Sequence, residues 1–401
     1  MFLDLFRALL PYVPLGRWHA IRGWITSLGM AKRSNLLRAG PDDGPAPRVA
    51  TAYDVAHLAG VSQSAVSRSF TPGASVSEGT RRRVMEAAAT LGYRPNLAAR
   101  SLITRRSGII GVAVSYLENQ FYPRVLEALS QALSQAGYRI LLFTGKRQGS
   151  SDPVLEEVMR YRVDAILLLS ANLSSHFDAE CQKAGIPVVL LNRTTDSAKV
   201  WSVAGNNDGG ARAIASFLVA GKHRRFAFMA GLENASTSRE REKGFSRYLA
   251  LEGFAPPQRV VGHYDFEAAC AAARQIFSTT MRPDALFCAN DHMALAAINV
   301  ARIEFGLEVG RDISIVGFDD AGPAAWPLFD LTTYVQPVDA MVAEVVEIVK
   351  QRLSNPGLVA ERRVVPGWLA VRGSARRPRR GVVMQDGVPI WLPPDGNNQK
   401  A

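Results

Sequence analysis

Thr51-Ala-Tyr-Asp-Val-Ala-His-Leu-Ala-Gly60-Val-Ser-Gln-Ser-Ala-Val-Ser-Arg-Ser-Phe70 reads as two short helices broken by one glycine. Ala56, Leu58, Ala59, Val61 and Val66 are spaced to bury against one another at the corner. Gly60 can adopt the left-handed conformation that a tight turn requires. Ser62 can then cap a second helix, whose outer face carries Gln63, Ser64, Ser67 and Arg68. These side chains are the forks and donors that read base edges in a major groove, so the spacing predicts a helix-turn-helix. A plain helical hairpin gives the same glycine turn, so the flanking sequence has to discriminate.

It does so through charge. Ser77 can cap a third helix over 78–91, with Glu78 facing the positive end of its dipole. Arg81, Arg82 and Arg83 stand near its start, where phosphates are within reach. Residues 51–106 hold eight arginines and three acids (Asp54, Glu78, Glu86), an excess of five against +11 for the whole chain. Basic charge concentrated on a small domain suits a phosphate backbone.

The next segment, Tyr93-Arg-Pro-Asn-Leu-Ala-Ala-Arg-Ser-Leu102, resembles the hinge of the lactose-repressor family of bacterial transcription regulators. Tyr53-Asp-Val-Ala, Ala59-Gly-Val-Ser and Val66-Ser-Arg match that family's headpiece nearly residue for residue, and the resemblance continues to about Ser374. It places Gln63, Ser64 and Arg68 against bases, and Tyr53, Ser62 and Ser67 against phosphates, which orient without specifying. The alternatives are a surface hydroxyl for Ser67 and a solvated arginine for Arg68. In the hinge, Asn96 can cap a helix over 97–104 that is too short to be stable alone in water. The resemblance makes Leu102 a minor-groove wedge. Ala99 is small enough to approach the groove floor, and Arg100 reaches a backbone. A plain linker is the competing reading.

From Gly108 onward, apolar strands alternate with helical segments. Strands are expected at 108–114, 139–144, 165–169, 187–191, 201–204, 226–230, 285–289 and 313–318. Helices are expected at 121–136, 155–161, 209–220, 239–252, 266–279 and 291–305. This pattern predicts parallel sheets covered on both faces, in two doubly wound subdomains with a crevice at their strand carboxyl ends. The fold class is an all-α helix-turn-helix headpiece followed by an α/β core, which by resemblance is like periplasmic sugar-binding proteins. The expected division is an N-terminal extension and arm at 1–50, the headpiece at 51–95, the hinge and linker at 96–107, and the core at 108–374. Within the core, the first subdomain takes 108–220 and 337–365, and the second takes 221–336 and 366–374. Residues 375–401, with Arg-Arg-Pro-Arg-Arg at 376–380, are expected to be a disordered basic tail.

The resemblance names effector-binding positions: Phe121, Tyr122, Asp208, Arg241, Tyr264, Asn290, Asp319 and Gln336, with Asp291 beside them. The plainer readings are a helix-dipole partner for Asp291, a cap for Asp208, and core packing for Phe121 or Tyr122. Arg239 and Arg241 together suggest an acidic sugar or another anion. Gly205 departs from the acidic residue common at that position among relatives, while Asn206 is kept.

Cys181, Cys270 and Cys288 are scattered in apolar runs without metal-ligand spacing, and the six histidines form no zinc motif. No phosphate loop, nucleophile elbow or cofactor motif appears, so neither an enzyme, a metal site nor a cofactor is implied. Residues 1–30 are apolar but broken by Asp4, Arg7, Pro11, Pro14, Arg17 and Arg22. They suit no membrane helix and no cleavable leader. Three readings stand: translation from Met30, an amphipathic surface segment, or a disordered extension. The expected protein is a cytoplasmic, nucleoid-associated homodimer. It binds a near-palindromic double-stranded operator under control of a carbohydrate-like effector and has no membrane partner. The alternative, a periplasmic-type sugar receptor without a regulatory role, shares the core but not the headpiece.

Overall fold

The computed structural model describes residues 50–71, 73–95, 106–114, 117–144, 157–170, 175–195, 197 and 199–393. The expected N-terminal extension up to residue 49 and the hinge positions Asn96, Ala99, Arg100 and Leu102 lie outside them. The chain divides into two units after Pro95.

The first unit holds α1 (Ala52–Ala59), α2 (Gln63–Ser69) and α3 (Glu78–Leu91). Thr51 and Asp54 close a capping box on α1, the Asp54 carboxylate accepting from the Thr51 amide at 2.8 Å. Gly60 ends α1 at φ 63°, and the Val61 amide turns back to the Ala56 carbonyl at 3.0 Å. Ser62 and Ser77 cap α2 and α3 through their side chains. Val55, Ala56, Ala59, Val66, Val84, Ala87 and Ala88 form the core, with Val61, Phe70 and Tyr93 packed at its margin. Leu58, expected inside, is 52% exposed. The buried stripe of α1 runs through Val55, Ala56 and Ala59, and Leu58 falls outside it. Arg81, expected to be available for phosphates, donates to the Ser69 carbonyl at 2.6 Å and to the Ala74 carbonyl at 3.4 Å. It fastens the end of α2 and the following loop to α3.

The second unit is built from two sheets. The first comprises β1 (Ile109–Val114), β2 (Arg139–Thr144), β3 (Ala165–Leu169), β4 (Val188–Leu191), β5 (Trp201–Gly205) and, from far along the chain, β11 (Arg362–Val365). Its order is β11-β5-β4-β3-β1-β2, parallel throughout. Every residue of β3, β4 and β5 is buried, as a sheet covered on both faces requires. Helices α4 (Phe121–Gln135) and α5 (Ser175–Ala184) belong to this region, and α10 (Val338–Ser354) packs on α4, β4 and β5.

The second sheet contains β6 (Phe226–Ala230), β7 (Gln258–Val261), β8 (Ala285–Cys288), β9 (Ser314–Asp319), β10 (Thr332–Val335), β12 (Trp368–Ala370), β13 (Val382–Gln385) and β14 (Val388–Trp391). Its order is β13-β14-β12-β10-β9-β8-β6-β7; the run from β10 to β7 is parallel, and β12, β14 and β13 add antiparallel strands. Helices α6 (Asn207–Ala220), α7 (Ser236–Leu251), α8 (Phe266–Phe277) and α9 (Asp291–Ile303) accompany it.

Two boundaries differ from the expectation. The chain enters the second subdomain at Asn206 rather than near Gly221, because α6 packs on α7, β10 and β12. The returns near Pro337 and Pro366 carry the chain to β11 and then to β12. The expected disordered tail from 375 is also corrected: its described part folds into the β13–β14 hairpin. Trp391 is buried edge-on against Phe217, and the Val371 amide donates to the Pro389 carbonyl at 2.8 Å. Asp386 and Gly387 take φ 49° and 79° at the hairpin turn, the pair that such turns favour.

His223 sits buried in the second subdomain, its Nε2 2.9 Å from the Ser314 hydroxyl and its Nδ1 3.6 Å from Asp284. Burial, with help from Arg376, lowers its pKa to about 4 despite the opposing pull of Asp284. The unfolded chain, with an ordinary imidazole, binds more protons than the fold between that value and about 6.5. Stability contributed by neutral His223 is therefore present above about pH 6.5 and is lost as pH falls toward 4. Raised carboxyl pKa values elsewhere act in the opposite direction, so a variant comparison isolates the imidazole. Urea denaturation of His223→Gln should lose less stability than the parent between pH 6.5 and 4.5, by on the order of 2–3 kcal/mol. Parallel pH curves would show that His223 does not titrate this way.

Candidate functional site

Two separate surfaces carry chemistry. On the headpiece, the caps and core fix which side of α2 faces out: Ala65, Val66 and Ser69 are buried, while Gln63, Ser64, Ser67 and Arg68 are exposed. Ser69 spends its hydroxyl on the Ala65 carbonyl at 2.8 Å. Ser62 joins the exposed set, its hydroxyl 2.9 Å from that of Ser64. Tyr53 projects from α1 with 62% exposure. The two serines and the capped helix start supply donors, Gln63 an amide, and Arg68 a fork. Arg82 and Arg83 on α3 are exposed as well.

The second surface is the crevice at the carboxyl ends of both sheets. Arg241, on α7, is only 2% exposed, and its guanidinium lies over the Phe318 ring, 3.6 Å from the centroid. Its Nε donates to Asn207 Oδ1 at 2.9 Å and its Nη1 donates to the Ala289 carbonyl. The same Nη1 stands 3.5 Å from Asp319 Oδ1. Asp319 ends β9 at φ 126° and accepts from Gln336 Nε2 at 2.7 Å. Burial pushes its pKa up to about 6, while Arg241, Gln336, Asn119 and Arg193 pull it down.

Tyr122 and Tyr264 supply ring surface. Burial raises the Tyr122 phenol above its usual pKa, opposed by Arg193 and a side-chain hydrogen bond from Asn192. The Tyr264 hydroxyl lies 3.1 Å from Thr237 Oγ1, which also accepts from Arg193 Nη1. Phe121, beside Tyr122, packs edge-on against it within the core. Asn290 caps α9, its Oδ1 accepting from the Met293 amide at 3.0 Å. Asp291 is held beneath the site by the Ala321 amide at 2.9 Å and the Thr333 hydroxyl at 2.6 Å. Burial and the neighbouring Asp319 charge push its pKa to about 8.

The structure thus brings Tyr122, Arg241, Tyr264, Asp319 and Gln336 together, with Asn290 at the margin. Asp208 is directed elsewhere: it pairs with Arg212 at 3.1 Å, and its backbone lies against Gly244. Its neighbour Asn207 takes the central role, and Asn206 takes the cap. Arg239 is exposed and donates to the Glu233 carbonyl at 3.3 Å, so it leaves the crevice. The second buried guanidinium is Arg193. Sequence reading missed Asn119, Asn192, Arg193, Asn207 and Thr237. The available signal was the polar run Asn192-Arg-Thr directly after an apolar strand.

Among the buried atoms here with no protein hydrogen-bond partner are Asn192 Oδ1, Arg193 Nε, Arg241 Nη2, Asn290 Nδ2 and Gln336 Oε1. Buried polar groups are normally satisfied, so this space calls for partners that can both donate and accept. Gly205 makes the arrangement possible: a Cβ there would sit 2.4 Å from Gln336 Oε1. The Gln336 side chain fills the place that a side chain at 205 would take. Among the described residues no cluster of His, Cys, Asp or Glu could hold a metal ion, and no helix is long and apolar enough to cross a membrane.

Comparison with known proteins follows the same division. Residues 51–96 match the model for bacterial regulatory proteins of the lacI family, and residues 215–375 match the periplasmic binding protein-like domain. The HTH-type transcriptional regulator CelR of Thermobifida fusca is 32% identical over 329 residues, covering 80% of this chain and 96% of the relative. The probable HTH-type transcriptional repressor ExuR of Bacillus subtilis (strain 168) is 29% identical over 336 residues, covering 82% and 98%. Among solved structures, the lac repressor dimer bound to operator and the anti-inducer ONPF gives a TM-score of 0.74 at 28% identity, covering 82% and 100%. A CelR–cellobiose complex gives 0.62 at 30% identity, covering 81% and 100%.

Gly205→Ala should displace the Gln336 side chain and cost about 1–3 kcal/mol of stability by overpacking. In a Gln336→Ala background the same substitution should cost less than half as much, which a double-mutant cycle by urea denaturation measures. Additive costs would show that the two residues do not compete for one space.

Proposed function

The chain belongs to the lacI family of bacterial regulatory proteins, and on that premise we propose that it is a homodimeric repressor whose operator affinity is set by a carbohydrate-like effector in the crevice. It is a helix-turn-helix transcriptional regulator. The observation that carries the finer reading is the division of α2, with Ala65 and Val66 buried and Gln63, Ser64, Ser67 and Arg68 left to the outside.

In this reading Gln63, Ser64 and Arg68 meet base edges, while Tyr53, Ser62 and Ser67 hold phosphates. Two headpieces engage a near-palindromic operator, and the two-fold symmetry of the dimer mirrors that of the duplex. The hinge at 96–104 folds against its twin and the minor groove, with Asn96 as cap, Ala99 and Arg100 at the groove, and Leu102 as wedge. Effector binding between the subdomains changes their relative pose, and the hinge positions follow. Such couplings are typically about 1–3 kcal/mol. The site of action is the cytoplasm, on the nucleoid. The proposed effector contacts are Tyr122, Arg241, Tyr264, Asn290, Asp319 and Gln336, with Asn192, Arg193 and Thr237 added from the geometry. Phe121 supports them from the core.

The test is selection of bound duplexes from a random library by the full-length protein at physiological ionic strength. Enrichment of a near-palindrome is expected, with affinity falling steeply as salt rises. Absence of any preferred duplex would overturn the proposal. On the selected site, Arg83→Ala should weaken binding with unchanged headpiece stability. Arg81→Ala should instead destabilise the headpiece by about 1–3 kcal/mol through its two lost carbonyl bonds. Leu102→Ala should retain the fold and lose most specific affinity, measured by gel shift against the enriched duplex.

A further inference from the structure

The closing hairpin gives the larger sheet a new edge. β13 is the terminal strand of that sheet, and it lies beyond residues 215–375, which match the periplasmic binding protein-like domain. The Leu392 amide donates to the Gly381 carbonyl at 2.7 Å, so Gly381, Val383 and Gln385 turn their main-chain groups toward β14. Val382 and Met384 therefore direct their amides and carbonyls away from the sheet. Strand edges are commonly guarded by charge, proline or a bulge. Two other edges of this chain carry charge: Arg259 on β7 pairs with Glu233 and Glu242, and Arg362 and Arg363 on β11 pair with Glu240, Glu344 and Glu361. β13 itself is Val-Val-Met-Gln, with neither charge nor proline, and Val383 and Met384 are exposed.

The charges at the two ends of this edge select its occupant. Arg380 precedes the strand and Asp386 follows it; both are exposed, and among the described residues neither has an ion-pair partner. When two identical strands pair antiparallel, the residues whose main-chain groups face outward must oppose one another. A register centred on Val383 meets this condition: Val382 of one copy faces Met384 of the other, and Val383 faces its own equivalent. The same register sets Arg380 opposite Asp386 at both ends, a favourable cross-strand pair. Registers centred on Val382 or on Met384 keep the hydrogen bonds and lose both charge pairs. We propose that β13 is a self-docking edge, through which two copies of this chain join antiparallel in the Val383-centred register and link regulators beyond the homodimer. The contact is isologous, so every hydrogen bond and charge pair occurs twice. A strand this short gives a weak, concentration-dependent association.

Sedimentation velocity on the full-length protein measures the assembly, and cysteine variants measure the register. The parent should form a species larger than the dimer as its concentration rises. Met384→Pro removes an outward-facing amide that β14 does not use, a change that edge strands tolerate, and should sediment as a dimer with its melting temperature nearly unchanged. Arg380→Glu should weaken the larger species about tenfold by setting like charges opposite each other at both ends. The parent's three cysteines are buried. In Val383→Cys, mild oxidation should join two chains, because opposed Cβ atoms at this position lie roughly 4.5–5.5 Å apart. In Gln385→Cys the equivalent atoms stand roughly 13 Å apart or more, and no crosslink should form. Deleting residues 394–401 should change none of these results. Should Met384→Pro fail to fold, the two cysteine variants decide. A parent that stays dimeric at every concentration overturns the proposal, as does a larger species that survives Met384→Pro. Equal crosslinking of both cysteine variants, or association only after residues 394–401 are removed, overturns it as well. The duplex selection described above tests the regulator reading separately.

Discussion

A guanidinium buried between two lobes must be answered on every side, and the crevice is organised around answering Arg241. Phe318 lies flat beneath it, Asn207 and the Ala289 carbonyl take two of its donors, and Asp319 faces it at 3.5 Å. The partners come from three places: β9, which supplies both Phe318 and Asp319, the start of α6, and the residue after β8. A charge removed from water at this cost constrains those elements to meet at one point. Asp319 is constrained in turn by Gln336, which needs the empty volume at Gly205. The chain passes between the two sheets beside Gly205 and beside Gln336, so the charge network and the interlobe connections occupy the same place. A ligand that alters the one acts directly on the other.

The headpiece obeys a simpler constraint. With so few buried side chains, its three helices rely on caps and turns to fix their angles. Thr51, Ser62 and Ser77 each satisfy helix-end amides, and Gly60 and Gly92 end α1 and α3 in the left-handed region. Arg81 supplies what the small core lacks, a long side chain that spans from α3 to two carbonyls of the α2 region. The exposed polar face of α2 is thus held by caps and by Arg81, and Gln63, Ser67 and Arg68 are left facing outward while Ser64 meets the capping Ser62.

Much of this was legible in the residues and some of it was not, for reasons that differ by position. The headpiece could be read because its signals are local: a capping residue, a glycine and an apolar stripe within twenty residues. Leu58 was misplaced because a seven- or eight-residue helix gives too little periodicity to tell its two flanks apart. Arg81 looked like its neighbours Arg82 and Arg83, and only the returning loop at Ala74 distinguishes it. In the core, Asp319, Arg241, Tyr264 and Gln336 come together at the strand ends. Asp208 and Asn207 exchange roles because one residue along a helix rotates a side chain by about a quarter turn. The charge suggested by Arg239 is supplied by Arg193 instead, which follows a strand whose carboxyl end opens into the crevice. The final hairpin was hidden by the arginine-rich stretch before it, although Asp386-Gly387 between apolar segments was a turn signal in plain view.

That hairpin has a bearing on how the molecule fails. Trp391 covers Phe217, and β14 occupies the side of β12 that would otherwise be an open edge. A product cut short before Gly381 would keep both lobes and every crevice residue, yet uncover an aromatic surface beside an unpaired strand. Such a surface invites self-association. Incomplete chains would therefore be withdrawn from the soluble pool by clumping, before an effector-competent but poorly sealed regulator could accumulate.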